Sequence, residues 1–238
     1  MIDARSHTDR ARRLPRLWKE WRGFLLFVAV MMVFRSAIAD WNQVPSGSMK
    51  PSILVGDRIV VDKLAYDLRV PFTLLRIARW SDPARGDVVT FPSPKDERLF
   101  VKRVIGLPGD EVELRDNHLI VNGEQATYRP LTPSEIEALP IEHKSRYRFL
   151  HEDILGTSHV VMLNAPGRAS GYQSFPQVKV PAGHYLMLGD NRDDSGDFRV
   201  IGWVDRDRIL GRAHAIAFSL DYEHFYAPRF DRFFESLP

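Results

Sequence analysis

The chain contains no cysteine in its 238 residues. Disulfides, thiolate metal sites, iron–sulfur clusters and cysteine nucleophiles are therefore excluded. A folded extracytoplasmic domain of this size can stand without disulfides, so their absence does not assign the chain to the cytosol. Long apolar runs are scarce as well, and residues 23–34 (GFLLFVAVMMVF) form the only one. The body of the chain also lacks a basic surplus. Residues 1–22 hold seven cations (Arg5, Arg10, Arg12, Arg13, Arg16, Lys19, Arg22) against Asp3, Asp9 and Glu20, which leaves 26 cations and 28 anions beyond them. The pI of 8.9 is thus set by the amino terminus, and a basic nucleic-acid-binding face is not present. The remaining composition, 44% hydrophobic and 27% charged, suits one sizeable folded domain, or one domain with a large insertion.

The apolar run of twelve residues is short for a membrane span, which needs roughly 20. Its flanks lengthen it. Arg35 can extend its stem to the interface, residues 36–39 are tolerable, and Trp21 and Trp41 sit where interfacial aromatics would. The preceding cations predict a cytoplasmic amino terminus, with everything after Trp41 across the membrane. A basic stretch, a short apolar run and Ala37-Ile38-Ala39 before Asp40 equally describe a cleavable leader. On these residues alone both readings stand. A buried globular helix fits poorly, because no second helical run exists to cover it.

After residue 41 the pattern is of short β-branched or alternating segments bounded by Gly, Pro, Asp or Asn. Strands are predicted at 58–62, 87–91, 99–105, 111–114, 119–121, 159–163, 185–188 and 213–219. Asp116-Asn117 reads as a hairpin turn, and Asn122-Gly123 closes the second of its strands. Only residues 133–139 look helical. Residues 124–182 are polar and rich in Pro, His and Gly. Residues 110–182 are read as a subdomain inserted into a β core. The expectation is a mostly β protein with three regions: a basic tail at 1–22, an anchor at 23–40 and a folded domain at 41–238.

Three segments carry chemistry. In VPSGSMKPS, Gly47 permits a tight backbone between Ser46 and Ser48 that exposes a hydroxyl. In RLFVKRVIGLPGD, Lys102 shares a strand face with Phe100 and Val104, whereas Val101, Arg103 and Ile105 face the other way. A lysine there is either desolvated or extends its ammonium to water. In GDNRDDSGDFR, Asp190, Asp194 and Asp197 alternate as calcium ligands would. The spacing does not fit an EF-hand, however, and internal salt bridges with Arg192 and Arg199 are the expectation.

Taken together these segments resemble the type I signal peptidase family. The family's ordered motifs are met by Ser46, Ser48, Met49 and Pro51; by Gly56, Asp57 and Arg58; and by Arg85, Gly86 and Asp87. They continue with Lys102, Arg103, Gly106, Pro108, Gly109 and Asp110, and finish with Gly189, Asp190, Asn191, Arg192, Asp193, Ser195 and Asp197. The resemblance runs from the apolar run to about Val204. It departs from the family at Phe198, where a smaller or polar residue is usual, and at Gly196, where alanine is also common.

The resemblance implies a signal-peptidase-like β catalytic core with an inserted β-rich subdomain and one N-terminal transmembrane helix, retained as an anchor. It implies a membrane-bound serine endopeptidase that removes signal peptides from secretory preproteins after small-x-small sites. The enzyme would sit in the lipid bilayer of the bacterial inner membrane with its catalytic domain on the periplasmic side, and would use no cofactor, metal or nucleic acid. By resemblance Ser48 is the nucleophile and Lys102 the general base, a known alternative to Ser-His-Asp. Ser46 would help the Ser48 N–H hold the oxyanion, and Ser195 would orient Lys102. Asp197 and Arg199 would support that loop. The substrate groove is expected between Phe100-Val101 and Gln43-Val44-Pro45, floored by Met49, Ile53 and Gly196, and able to take a segment as an added strand. His184, Lys50 and Lys63 are weaker candidates for the base. A non-cleaving paralogue, a narrow-substrate peptidase and a self-cleaving repressor protease are the competing functions.

Overall fold

The computed structural model describes residues 5–73, 75–168 and 173–237. Helix α1 runs through Arg5–Ala37. The expected 23–40 anchor therefore ends at residue 37, and the basic stretch from residue 5 belongs to the same helix; residues 1–4 of the expected tail lie outside the described residues. The helix stops because strand β1 (Ala39–Gln43) begins there, pairing Ala39 with Asp62 of β2 (Asp57–Asp62). Trp41 thus lies on a strand, and its spacing from Trp21 is not helical throughout. Among the described residues no helix is long and apolar enough to cross a membrane. From Phe24 to Phe34 the large apolar side chains of α1 are exposed or half-buried, and Ala37 near its end is buried.

A small hairpin follows, β3 (Asp67–Arg69) and β4 (Arg76–Arg79), which leaves Phe72, Leu75, Ile77 and Trp80 exposed. The Phe72 N–H donates to Ser36 Oγ at 2.6 Å, tying this hairpin to the last turn of α1. Next come β5 (Val88–Pro92) and β6 (Leu99–Gly106), paired antiparallel with Val89 opposite Lys102.

Strands β7 (Glu111–Arg115) and β8 (His118–Val121) meet at Asp116 and Asn117, with φ of 49° and 63°. Two successive left-handed residues make the turn whose twist matches the flanking strands. Then follow β9 (Glu124–Gln125), β10 (Thr127–Pro130) and helix α2 (Pro133–Ala138), started by a Thr132–Glu135 capping box. The long hairpin β11 (Tyr147–Ile154) and β12 (Thr157–Asn164) and strand β13 (Phe175–Lys179) complete this region. It forms two sheets of its own, ordered β13-β7-β8-β9 and β10-β11-β12. The polar stretch 124–182 therefore contains β9, β10, β11 and β13, which the periodicity does not announce. In β11 the pattern fails because Glu152 is fully buried.

The chain returns through β14 (His184–Leu188), the one-turn helix α3 (Phe198–Ile201), β15 (Val204–Asp205), β16 (Gly211–Asp221) and β17 (Ala227–Pro228). The main sheet has eight strands in the order β1-β2-β16-β5-β6-β14-β15, with β17 on β16. All eight expected strands and the expected helix are present. Val101 packs with Val44, Met49 and Ile53 in one core, whereas Phe100 and Val104 pack with Val89, Phe91 and Met187 in another. The two faces of β6 are thus divided as the alternation requires.

Candidate active site

Three segments converge where β6 leaves the pairing of β14. Strand β6 pairs with β5 along residues 99–103, but β14 reaches it only from Arg103 onward. Residues 99–102 therefore keep one ladder edge unpaired beside a cleft of about 570 Å³. The loop after β1 crosses the end of this cleft and carries Ser46 and Ser48. The loop after β14 lies beneath it and carries Gly189, Asp190 and Asn191.

Lys102 is 3% exposed. Its ammonium donates to Ser48 Oγ at 2.6 Å and to the Val101 carbonyl at 2.9 Å, and lies 5.1 Å from the centroid of the Phe100 ring. Burial pushes its pKa down to about 8, although Asp197 and Asp190 pull it upward. The sequence leaves open whether Lys102 is desolvated or extended to water, and the fold makes it desolvated. Ser46 Oγ stands 3.4 Å from Ser48 Oγ. The other candidates for the base lie elsewhere, and Lys50 lines a separate cleft with Tyr147 and Tyr222. His184 Nε2 lies 2.8 Å from an Asp205 oxygen, and Lys63 donates to the Arg35 and Ser36 carbonyls.

Ser195 is expected to orient Lys102. Its hydroxyl is buried and has no hydrogen-bond partner among the described residues. It lies against the loop of Ser48. A Cβ added at Gly189 would stand 2.2 Å from Ser195 Oγ and 2.4 Å from the Ser48 carbonyl oxygen. Arg199 donates to both Asp197 oxygens at 2.8 and 2.7 Å, and Asp197 also accepts the Gly189 N–H at 3.0 Å. Arg192 does not pair within the loop. It is fully buried and turned toward Glu152 of β11, away from the exposed Asp194. Phe198, the departure from the family pattern, stacks on Trp203 and Phe175 with centroids 4.5 and 5.3 Å away.

The cleft is lined by Val44, Pro45, Met49, Phe100, Val101 and Gly196, with Gln43, Ser46, Ser48 and Lys102. Ile53 is a correction: it is wholly buried in the core under the loop and does not reach the cleft. Leu99 and Arg98 line the cleft instead. Sequence reasoning also missed the work of Gly189 and Asn191. The Asn191 N–H donates to the Ser48 carbonyl at 3.1 Å, and its side-chain amide to the Gly47 carbonyl at 3.0 Å. Both residues belonged to a motif, but nothing local links residue 191 to residue 48.

A serine hydroxyl at the end of a cleft with an open strand edge is the arrangement of a serine peptidase. Residues 18–218 match the family model described as signal peptidase, peptidase S26, and the chain belongs to that family. It is 36% identical to signal peptidase I of Pseudomonas fluorescens over 87% of this chain and 75% of that protein. It is 33% identical to signal peptidase I of Aquifex aeolicus over 82% of each. The crystal structure of a signal peptidase I from Enterococcus faecalis matches 56% of this chain and 97% of its own, at 28% identity and a TM-score of 0.33. That superposition adds nothing to the assignment, which rests on the family model and the sequence relatives. The chain is a hydrolase, a serine peptidase that removes signal peptides from secretory preproteins.

Proposed function

We propose that Ser48 and Lys102 form the reacting pair, and that the 2.6 Å contact between the half-buried Ser48 hydroxyl and the buried Lys102 amine is the observation that best supports it. A lysine serves as base only when neutral. With a pKa near 8, a useful fraction of Lys102 is neutral at physiological pH. The Ser48 hydroxyl then donates to the amine. As Oγ attacks the substrate carbonyl carbon, its proton passes to Nζ. The oxyanion is held by the Ser48 N–H and the Ser46 hydroxyl, each donor worth about 3 kcal/mol in such sites. Collapse breaks the C–N bond, and Nζ returns the proton to the departing amine. Water then attacks the acyl-Ser48 ester through the same base, releasing the signal peptide with a new carboxylate.

The substrate lies along the open edge of residues 99–102 as an added strand. The cleft is shallow and apolar, walled by Phe100, Val101, Val44 and Pro45. It favours small residues at the first and third positions before the cut, because larger ones collide with those walls. Ser195, whose buried hydroxyl lies against the Gly189 backbone and has no hydrogen-bond partner among the described residues, orients the amine.

The protein is held at a bilayer by α1, with its amino terminus cytoplasmic and the β body across the membrane. Residues 23–34 span about 18 Å of helix, short of a hydrocarbon core of ~30 Å. The interfacial flanks supply the rest: Trp21 at one end, and at the other Arg35, whose guanidinium lies 4.5 Å over the Trp41 ring. The exposed Phe72, Leu75, Ile77 and Trp80 beside the end of α1 support the same orientation.

Incubation of a model precursor with wild type, Ser48→Ala and Lys102→Ala proteins tests the reading. Mass spectrometry should find a new amino terminus directly after a small-x-small triplet, absent with either variant. Cleavage by folded Lys102→Ala at the wild-type rate would remove Lys102 as the base.

A further inference from the structure

The loop carrying Ser48 has no regular structure, yet its hydroxyl must be held to within a fraction of an ångström. Asn191 fixes the carbonyls of Gly47 and Ser48. On either side of Asn191 stand two charged residues that are both wholly buried. Asp190 is gripped by Arg103 through two bonds of 2.9 and 2.8 Å, which ties the loop to the strand of Lys102. Arg192 is gripped from the other direction. Its Nη1 and Nη2 donate to the two Glu152 oxygens at 2.6 and 2.5 Å. We infer that Glu152, on the inserted hairpin β11–β12, is a positioning residue for Ser48, acting through Arg192 and Asn191.

The surroundings of Glu152 are built for this grip. Its Oε2 also accepts from the Tyr128 hydroxyl at 2.7 Å, and that hydroxyl accepts the Leu119 N–H. The facing residue in the ladder, His159, places Nε2 at 3.4 Å from Glu152 and 3.9 Å from Asp190, with neither ring nitrogen hydrogen-bonded. Burial, with Arg103 nearby, takes that imidazole down to about 4, so it is neutral. The backbone joins the same units. Arg192 N–H donates to the Met162 carbonyl at 3.0 Å, and Met162 N–H to the Asp190 carbonyl at 2.8 Å. A buried pair of this kind gains little over an apolar pair, but losing one partner strands a charge. Without Glu152 the Arg192 guanidinium must move or draw in water, and residues 190–192 move with it. A displacement near 1 Å at a reacting group costs about 10²-fold in rate.

This inference rests on Ser48 being the nucleophile. The test measures kcat and KM on a model precursor, per folded full-length protein, for Glu152→Gln, Tyr128→Phe and Val121→Ala beside Ser48→Ala. Val121 is buried in β8, opposite Val112 and in a different sheet from Glu152, so it reports loss of stability alone. Glu152→Gln should lower kcat about 10²-fold with KM within twofold. Tyr128→Phe, which keeps the charge but removes one of the two hydrogen bonds to Glu152 Oε2, should lower kcat severalfold and serves if Glu152→Gln does not fold. Val121→Ala should keep wild-type kcat below its lowered melting temperature. Wild-type kcat in Glu152→Gln, or in folded Tyr128→Phe where Glu152→Gln does not fold, would overturn the inference, as would a loss matched by Val121→Ala. Activity surviving in Ser48→Ala would overturn the nucleophile, and this inference with it.

Discussion

Gly189 lies against the Ser48 carbonyl so closely that a methyl group at position 189 would stand 2.4 Å from that oxygen. The glycine here is required by close approach, not by an unusual φ. Gly189→Ala must push either the Ser48 carbonyl or the Ser195 hydroxyl away. Overpacking of this kind costs about 1–3 kcal/mol, so the protein should fold with a lowered melting temperature. Because the displaced atoms belong to the loop proposed to carry the nucleophile, or lie against it, kcat/KM should fall about 10²-fold. Steady-state kinetics beside a thermal melt would show it, and wild-type turnover in a folded Gly189→Ala protein would contradict the packing described.

The pH dependence follows from Lys102. Its pKa lies near 8, and in the proposed mechanism the neutral amine is the active form, so the working fraction grows as pH rises. Activity should climb about tenfold per pH unit below 8 and level above it. Phe100 covers the amine from 5.1 Å. Phe100→Ala admits water, weakens the desolvation and returns the pKa toward that of an ordinary lysine. The rising limb should then move to higher pH. A limb that stays in place would mean that Phe100 does not desolvate the base.

The extent of this site that was legible in the sequence depended on separation along the chain. Lys102 could be placed on a desolvating face because Phe100 and Val104 stand two residues away, within the reach of strand alternation. Ser48 and Lys102 could be linked only by resemblance, since 54 residues separate them. Glu152 escaped altogether. A carboxylate in a strand breaks the polar–apolar pattern, and the arginine that neutralises it lies 40 residues downstream. Ile53 was misplaced for the opposite reason: an apolar residue after a reactive loop fits a pocket floor or a core equally well, and only the packing decides.

Lys102 should also cost stability. In the unfolded chain its pKa is that of an ordinary lysine near 10.5, and folding lowers it to about 8. Between these values the unfolded state binds more protons, so stability rises with pH through this window. Below pH 8 the whole cost is present, on the order of 3 kcal/mol. Lys102→Met fills the same volume without the charge. It should be inactive and yet melt several degrees above wild type at pH 7, with the difference shrinking as pH approaches 10. A lower melting temperature at pH 7 would show that the charged lysine is well accommodated where it lies.

The absence of cysteine makes the bilayer reading directly testable, since a single introduced thiol reports one position. Phe27→Cys on α1, Phe72→Cys on the β3–β4 hairpin and Leu155→Cys at the turn between β11 and β12 replace exposed side chains, so none opens a cavity. Each full-length protein is labelled with an environment-sensitive fluorophore and reconstituted in vesicles that carry quenchers on their acyl chains. Position 27 should be strongly quenched, because the apolar run reaches the hydrocarbon. Position 72 should be quenched more weakly. Its N–H is bonded to Ser36 in the last turn of α1, which places it near the headgroups, where exposed aromatic residues are stable. Position 155 should respond as it does in water. If position 27 escapes quenching, α1 is not a membrane anchor. If only position 72 escapes, the anchor stands but the β body is held away from the lipid, and Phe72, Leu75, Ile77 and Trp80 face water or another protein.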